Sequence, residues 1–243
     1  MFDYTKKGKW WDIGVKVVQG CTRVSEACKN CWSLSMEHRF NQGTEITLHL
    51  DRLTDRIKKK TPMAFSIWND LFHESVPFDF IDQIFNNMIK YHWHIYQILT
   101  KRPQNALKYF NSRKEWVSME IMPLPNVWIG VTAENQERAD ERIPLLLQIP
   151  ARIRFVSCEP LLHHVDGYIY DDEGNEAGNW MEEIDWIIAG AETGARKRET
   201  KKQWIDSLFM QCKDAGVPFF DKQNILGFNI YELPEYEGCA SKI

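Results

Sequence analysis

Asn126-Val127-Trp128-Ile129-Gly130-Val131 closes on the polar Thr132-Ala133-Glu134-Asn135. Gln136 to Leu147 then has helical period, and Arg152-Ile153-Arg154-Phe155-Val156-Ser157 closes on Cys158-Glu159-Pro160. An apolar run, a helix-length connection and a second apolar run make a β-α-β unit, since a parallel crossover needs a connection of that length. The theme recurs to either side. Met63 to Trp68 ends in Asn69-Asp70-Leu71-Phe72-His73-Glu74 and is followed by an amphipathic segment from Phe78 to Ile89. His94 to Leu99 ends in Thr100-Lys101-Arg102-Pro103, which opens a helix reaching about Trp116. Asp185 to Gly190 ends in Ala191-Glu192-Thr193-Gly194, a helix covers Lys201 to Ala215, and Val217-Pro218-Phe219-Phe220 ends in Asp221-Lys222-Gln223. Near the start, Ile13-Gly14-Val15-Lys16-Val17-Val18 reads as the first strand.

Six or seven such units predict an α/β fold with parallel strands, a partial (β/α)6-7 barrel; a doubly wound sheet is the other architecture that this rhythm allows. In both, ligands gather at the carboxyl ends of the strands, so the polar tails share one face. A length of 243 residues fits one domain, 1–243. The acidic, glycine-rich stretch from Tyr168 to Trp180 breaks the rhythm and predicts an inserted hairpin or lid near 163–183. No apolar run is long enough to span a bilayer, which excludes a membrane-spanning class. A formal charge of −4 gives no global basic signature, so nucleic-acid binding would rest on local patches. Met1 to Lys7 holds no apolar signal segment, which points to a reducing cytoplasm and away from disulfides.

Three of the six cysteines lie in Gly20-Cys21-Thr22-Arg23-Val24-Ser25-Glu26-Ala27-Cys28-Lys29-Asn30-Cys31-Trp32, directly after the first strand. Structural zinc takes four protein ligands, and so commonly does a four-iron cluster. Three thiolates leave one position open. Cys158, Cys212 and Cys239 are the other cysteines, none in a Cys-x-x-Cys pair. The spacing therefore allows a zinc site completed by a distant Cys or His, or a centre whose open position accepts something else.

A cysteine loop after strand one of a partial α/β barrel resembles the radical S-adenosylmethionine enzymes. Their usual spacing is Cys-x3-Cys-x2-Cys with an aromatic residue before the last Cys; here the first gap is six residues and Asn30 precedes Cys31. A wider resemblance rests on Gly20-Cys21-Thr22 with Cys28-Lys29-Asn30-Cys31, Asp70-Leu71-Phe72-His73-Glu74, Leu99-Thr100-Lys101-Arg102-Pro103, Gly130-Val131-Thr132-Ala133-Glu134, Phe155 to Leu162 and Gly216 to Gln223. These segments are similar to a phage and prophage family of long-undefined function, built on a radical-SAM-like barrel. In that family Trp-Asn-Pro is usual where Asp12-Ile13-Gly14 stands, and Tyr where Trp32 stands.

The resemblance implies that Cys21, Cys28 and Cys31 bind three irons of a [4Fe-4S] cluster whose fourth iron is chelated by S-adenosyl-L-methionine. It also implies a 5'-deoxyadenosyl radical, an electron donor of flavodoxin or ferredoxin type, and a setting in the cytoplasm of a phage-infected bacterium. Ser66, Asn69 and Asp70 then suit the cofactor's amino group, and Thr132, Glu134 and Asn135 its ribose or carboxylate; loop and helix capping suits the same residues equally. Glu159, Glu192 and His73 are catalytic candidates. The carboxylates serve equally well in buried pairs with Arg154, Arg102 or Lys222, and the histidine in a structural hydrogen bond. Lys101, Arg102, Arg196, Lys197, Arg198 and Lys222 are candidates for substrate binding, as a phosphate rim on an acidic chain; a solvated helix start accounts for the same charges. Phage context suggests an amino-acid-decorated thymidine in DNA, rearranged by an isomerase. The contrasting expectation is a zinc-binding or catalytically inactive phage protein that binds nucleic acid or a host partner.

Overall fold

The architecture comes from a computed structural model that describes residues 8–40, 43–119, 121–170 and 173–235. Cys239, and Asp171 and Asp172 of the expected hairpin, lie outside the described residues. In chain order the elements are β1 (Ile13–Val15), β2 (Val18–Gln19), α1 (Trp32–Arg39), β3 (Thr47–Leu48), α2 (Asp51–Thr54), β4 (Ala64–Ile67), α3 (Phe78–Lys90), β5 (Ile95–Thr100), α4 (Pro103–Asn111), α5 (Lys114–Ser118), β6 (Val127–Thr132), α6 (Gln136–Leu147), β7 (Ile153–Cys158), β8 (Tyr168–Tyr170), β9 (Glu176–Asn179), β10 (Trp186–Ala189), α7 (Lys202–Ala215) and β11 (Phe219–Asp221).

Seven strands form one all-parallel sheet in the order β1-β4-β5-β6-β7-β10-β11. The order follows the sequence without reversal, so each crossover adds its strand on the same side. The sheet is therefore singly wound and curls into a half-barrel, not a doubly wound sheet. Its outer face is covered by helices: Ile67, Ile98, Val131, Val156 and Ile187 join the main core with Ile84, Ala106, Ile143 and Leu208 of α3, α4, α6 and α7.

The inner face changes character along the strands. Toward their amino ends it is plugged by Trp10, Trp128, Phe155, Trp186 and Phe220, whose rings meet near 6 Å, largely edge to face. Gly130 is required beneath that plug, because a Cβ there would stand 2.5 Å from both the Phe155 ring and its carbonyl oxygen. Toward the carboxyl ends the inner residues shrink to Ser66, Thr132 and Ser157, and the half-barrel opens into a cavity. Large residues below and small ones above thus fix which end can hold a ligand.

Three local departures from the sequence reading have physical causes. The expected first strand, Ile13 to Val18, is split: β1 pairs with β4, and the chain then leaves the sheet so that β2 pairs antiparallel with β3. The helix expected from Pro103 to about Trp116 breaks between α4 and α5. There Ser112 Oγ donates to the Tyr109 carbonyl at 2.6 Å, and Arg113 turns to Asp82 Oδ2, also at 2.6 Å. Between β7 and β10 an antiparallel pair, β8 with β9, stands in place of a helix. Among the described residues no helix is long and apolar enough to cross a membrane.

Candidate functional site

The cavity at the carboxyl end of the half-barrel has a volume of about 220 Å³ and is roofed by the cysteine loop. Cys21, Cys28 and Cys31 all line it, with Ser66, Thr132 and Ser157 on its sheet side. Trp11 and Trp68 add an apolar wall, their rings edge-to-face at 6.2 Å.

The loop is held at both ends. Gly20 launches it at φ +84, where a Cβ would lie 2.3 Å from the Glu45 carbonyl oxygen, so only glycine fits. Asn69, itself at φ +61 after β4, donates to the Gly20 carbonyl at 3.1 Å and accepts from Ser33 at 2.7 Å. At the Cys21 end, Arg102 is only 1% exposed and spreads its fork over four residues. Nη2 donates to Thr22 Oγ1 at 2.6 Å and to its carbonyl at 3.2 Å; Nη1 donates to Asp70 at 3.0 Å and stands 4.0 Å from Cys21 Sγ; Nε is shared by the Glu74 oxygens at 2.9 Å. At the Cys31 end, Asn30 donates to Glu192 at 3.0 Å and to the Arg196 carbonyl at 2.8 Å.

These surroundings set the electrostatics. Burial pushes the Cys21 thiol up to about 11, against the pull of Arg102. Burial also acts to raise Cys28, but the Lys101 charge and hydrogen bonds from Val24 and Ser25 outweigh it and hold that thiol below its usual value. Hydrogen bonds from Arg198, acting against burial, bring Glu192 down to about 2. Burial first and the nearby Arg102 second keep His73 neutral by lowering its pKa. Its Nδ1 accepts from the Ser75 N–H at 3.1 Å, so Nε2 carries the proton and donates to Thr22 Oγ1 at 2.9 Å.

Among the described residues no three His, Cys, Asp or Glu side chains converge as a metal-ligating group, so the three thiols share the cavity without meeting at one point. Cys158 and Cys212 are fully buried in the helix-side core, which removes them from the cavity. Burial raises Cys158 to about 12, as for a small apolar residue. The loop thus offers three thiols and no fourth from the described core.

The other candidates divide between cavity and framework. Ser66, Asn69, Asp70, Lys101, Thr132, Glu159, Glu192 and Lys222 line the cavity. Asp70 is nonetheless fully engaged: Thr100, the Phe72 and Lys101 amides and Arg102 take up both its oxygens. Arg102, expected on a phosphate rim, lines the cavity too, but is 1% exposed and braces the loop, with three oxygen-bearing groups around its guanidinium. Glu192 likewise spends both carboxylate oxygens on Arg198 and Asn30. Glu159 pairs with Lys222 across the cavity wall. Arg196 and Lys197 are exposed beside the mouth.

Glu134 and Asn135, expected at a cofactor, belong to the framework. Past Thr132 the chain turns into α6, so Glu134 is fully buried against Arg142 of that helix at 2.9 Å and Asn135 becomes its N-cap, accepting from the Arg138 N–H at 3.0 Å. Asn135→Ala is expected to cost about 1 kcal/mol of stability, seen as a lower urea midpoint, and to leave ligand affinity unchanged. Thr22, Asn30, Trp11 and Ser157 were not singled out from sequence; only the i, i+2 spacing of Ser157 and Glu159 on one strand face signals a shared wall.

No curated protein and no solved structure shows a significant match. Residues 5–227 match the model of a family described as "Protein of unknown function (DUF5131)", and the chain therefore belongs to that family.

Proposed function

We propose that this chain is a radical S-adenosylmethionine enzyme in which Cys21, Cys28 and Cys31 hold a [4Fe-4S] cluster. The observation that carries the reading is that all three thiols of one loop line one cavity at the carboxyl end of a parallel half-barrel. The donor set fits the group in kind and number: three thiols, cationic Lys101 and Arg102 beside them, and a core that withholds Cys158 and Cys212. Such a cluster, when bound, supplies the electron that splits the sulfonium and so yields a 5'-deoxyadenosyl radical.

The chain's own part is to bind, orient and exclude water. Trp11 and Trp68 keep one wall apolar, while Ser66 and Thr132 present hydroxyls from the sheet side. Electrons would come from a flavodoxin- or ferredoxin-type donor. The reaction class we favour is isomerisation. Exposed Arg196 and Lys197 beside the mouth support a polyanionic substrate, such as DNA carrying an amino-acid-decorated thymidine.

The test is anaerobic reconstitution with iron and sulfide, then incubation with reductant and S-adenosylmethionine. About four irons per chain, thiolate-to-iron absorption near 400 nm and released 5'-deoxyadenosine are expected, all lost in Cys28→Ala. Colourless protein with one zinc ion, or a loaded cluster that forms no 5'-deoxyadenosine, would refute the proposal.

A further inference from the structure

Glu159 lies two residues beyond Ser157 of β7, and Lys222 two beyond Phe220 of β11. The register pairs Ser157 with Ile188 and Ile188 with Phe220, so Glu159 and Lys222 flank Gly190 at the next inward-facing level. The two side chains close into an ion pair with each other. Both line the cavity, with side chains 19% and 21% exposed. Among the described residues neither side chain has another hydrogen-bonding or ionic partner, while Lys222 Nζ stands 5.5 Å from the centre of the Trp11 ring. One level below, Ser157 lines the cavity and is 1% exposed, and among the described residues its buried Oγ has no hydrogen-bond partner.

This wall selects a particular charge pattern. A ligand bringing a lone cation to Glu159 would strand Lys222 half-buried, and a lone anion on Lys222 would strand Glu159; either leaves a charge uncompensated. A group that carries an ammonium and a carboxylate side by side exchanges one pair for two and strands nothing. The orphan hydroxyl of Ser157 supplies a donor for the carboxylate, satisfying a buried group that is otherwise costly to leave unpaired. Trp11 provides an apolar surface for the body that follows the head.

We infer that Glu159, Lys222 and Ser157 form a receptor for the zwitterionic α-amino-acid head of a ligand, with its carboxylate on Lys222 and Ser157 and its ammonium on Glu159. The inference rests on the proposed function only in taking the cavity as the reaction site; it uses none of the thiols.

The test is a ligand-observed NMR titration of the metal-free full-length chain with L-methionine, its decarboxylated amine and its deaminated acid. Methionine is expected to bind about tenfold or more tightly than either singly charged analogue. Lys222→Met should abolish the preference over the amine and Glu159→Gln the preference over the acid, and Ser157→Ala should weaken methionine several-fold. The exchanged pair, Glu159→Lys with Lys222→Glu, should restore the preference, and equal melting temperatures exclude a folding effect. Displacement of methionine by S-adenosylmethionine supports the receptor with the cofactor as source of the head; simultaneous binding supports it with a separate substrate. Absence of methionine binding, equal affinity for all three compounds, or an undiminished preference over the amine in Lys222→Met would overturn the inference. Because no cluster is present, none of these results bears on 5'-deoxyadenosine formation, and failure of that assay leaves them standing.

Discussion

Replacing Arg102 by Met is expected to destabilise the chain by about 3–5 kcal/mol, the cost of removing one partner from a buried ion pair. The guanidinium is 1% exposed and Asp70 5% exposed, so the carboxylate left behind cannot be rescued by bulk water. The substitution also deletes both bonds to Thr22 and the cation beside Cys21 Sγ, freeing the front of the cysteine loop. Two measurements separate these effects. Urea unfolding should show the lower midpoint, and iodoacetamide labelling under native conditions should show faster modification of Cys21, loop release outweighing the loss of the cation that favours its thiolate. Arg102→Lys is the informative control. It keeps the charge but replaces a planar fork by one compact ammonium, which cannot serve Asp70, Glu74 and Thr22 together. It should regain part of the stability and little of the protection of Cys21. Wild-type labelling in Arg102→Lys would show that charge alone, not the fork, anchors the loop.

That arginine also illustrates what the chain reveals before folding. The helix from Gln136 to Leu147 was legible to its ends, because Asn135 caps it and its apolar positions recur at helical spacing. The buried strands were legible too, since a sheet covered on its outer face by helices and filled inside by aromatic rings needs apolar residues on both faces. The trio of cysteines was visible as spacing within one loop. What could not be read was how that loop is tied down, because Arg102 and Thr22 are 80 residues apart, and Asn30 and Glu192 are 162 apart. The pairing of Glu159 with Lys222 depends on the order of the last three strands, which brings the ends of β7 and β11 to either side of β10. Glu134 misled for a related reason. Strand alternation points it inward with Thr132, yet β6 ends at Thr132 and the turn that leads to α6 delivers its carboxylate to Arg142. Arg113 ended a helix that local period would have continued, because Asp82 on α3 offered a better partner than another helical turn.

The opposite end of the cysteine loop answers to Glu192, and Glu192→Gln is expected to cost about 2 kcal/mol at neutral pH. The carboxyl sits near 2 in the folded chain because Arg198 and Asn30 donate to it from three directions. Relative to an ordinary glutamate that depression corresponds to about 3 kcal/mol, and solvent screening at Arg198, which is 32% exposed, removes part of it. Gln cannot imitate the group, since its amide nitrogen would face donors. The sign follows from a folded-state pKa below the unfolded one. The contribution is complete above about pH 4.5 and is lost as pH falls through 2. The stability gap between wild type and Glu192→Gln, measured by urea unfolding, should therefore be level from about pH 7 to pH 5 and shrink to roughly half by pH 3. A gap unchanged at pH 3 would mean that packing, not the carboxylate charge, is what the substitution removes. Because Asn30 lies between Cys28 and Cys31, the same variant should speed alkylation of Cys31 while leaving Cys21 protected, the reverse of the pattern in Arg102→Met. Opposite labelling patterns from two residues on opposite rims of the cavity would establish that the loop is held independently at each end, so that either thiol can be released without the other.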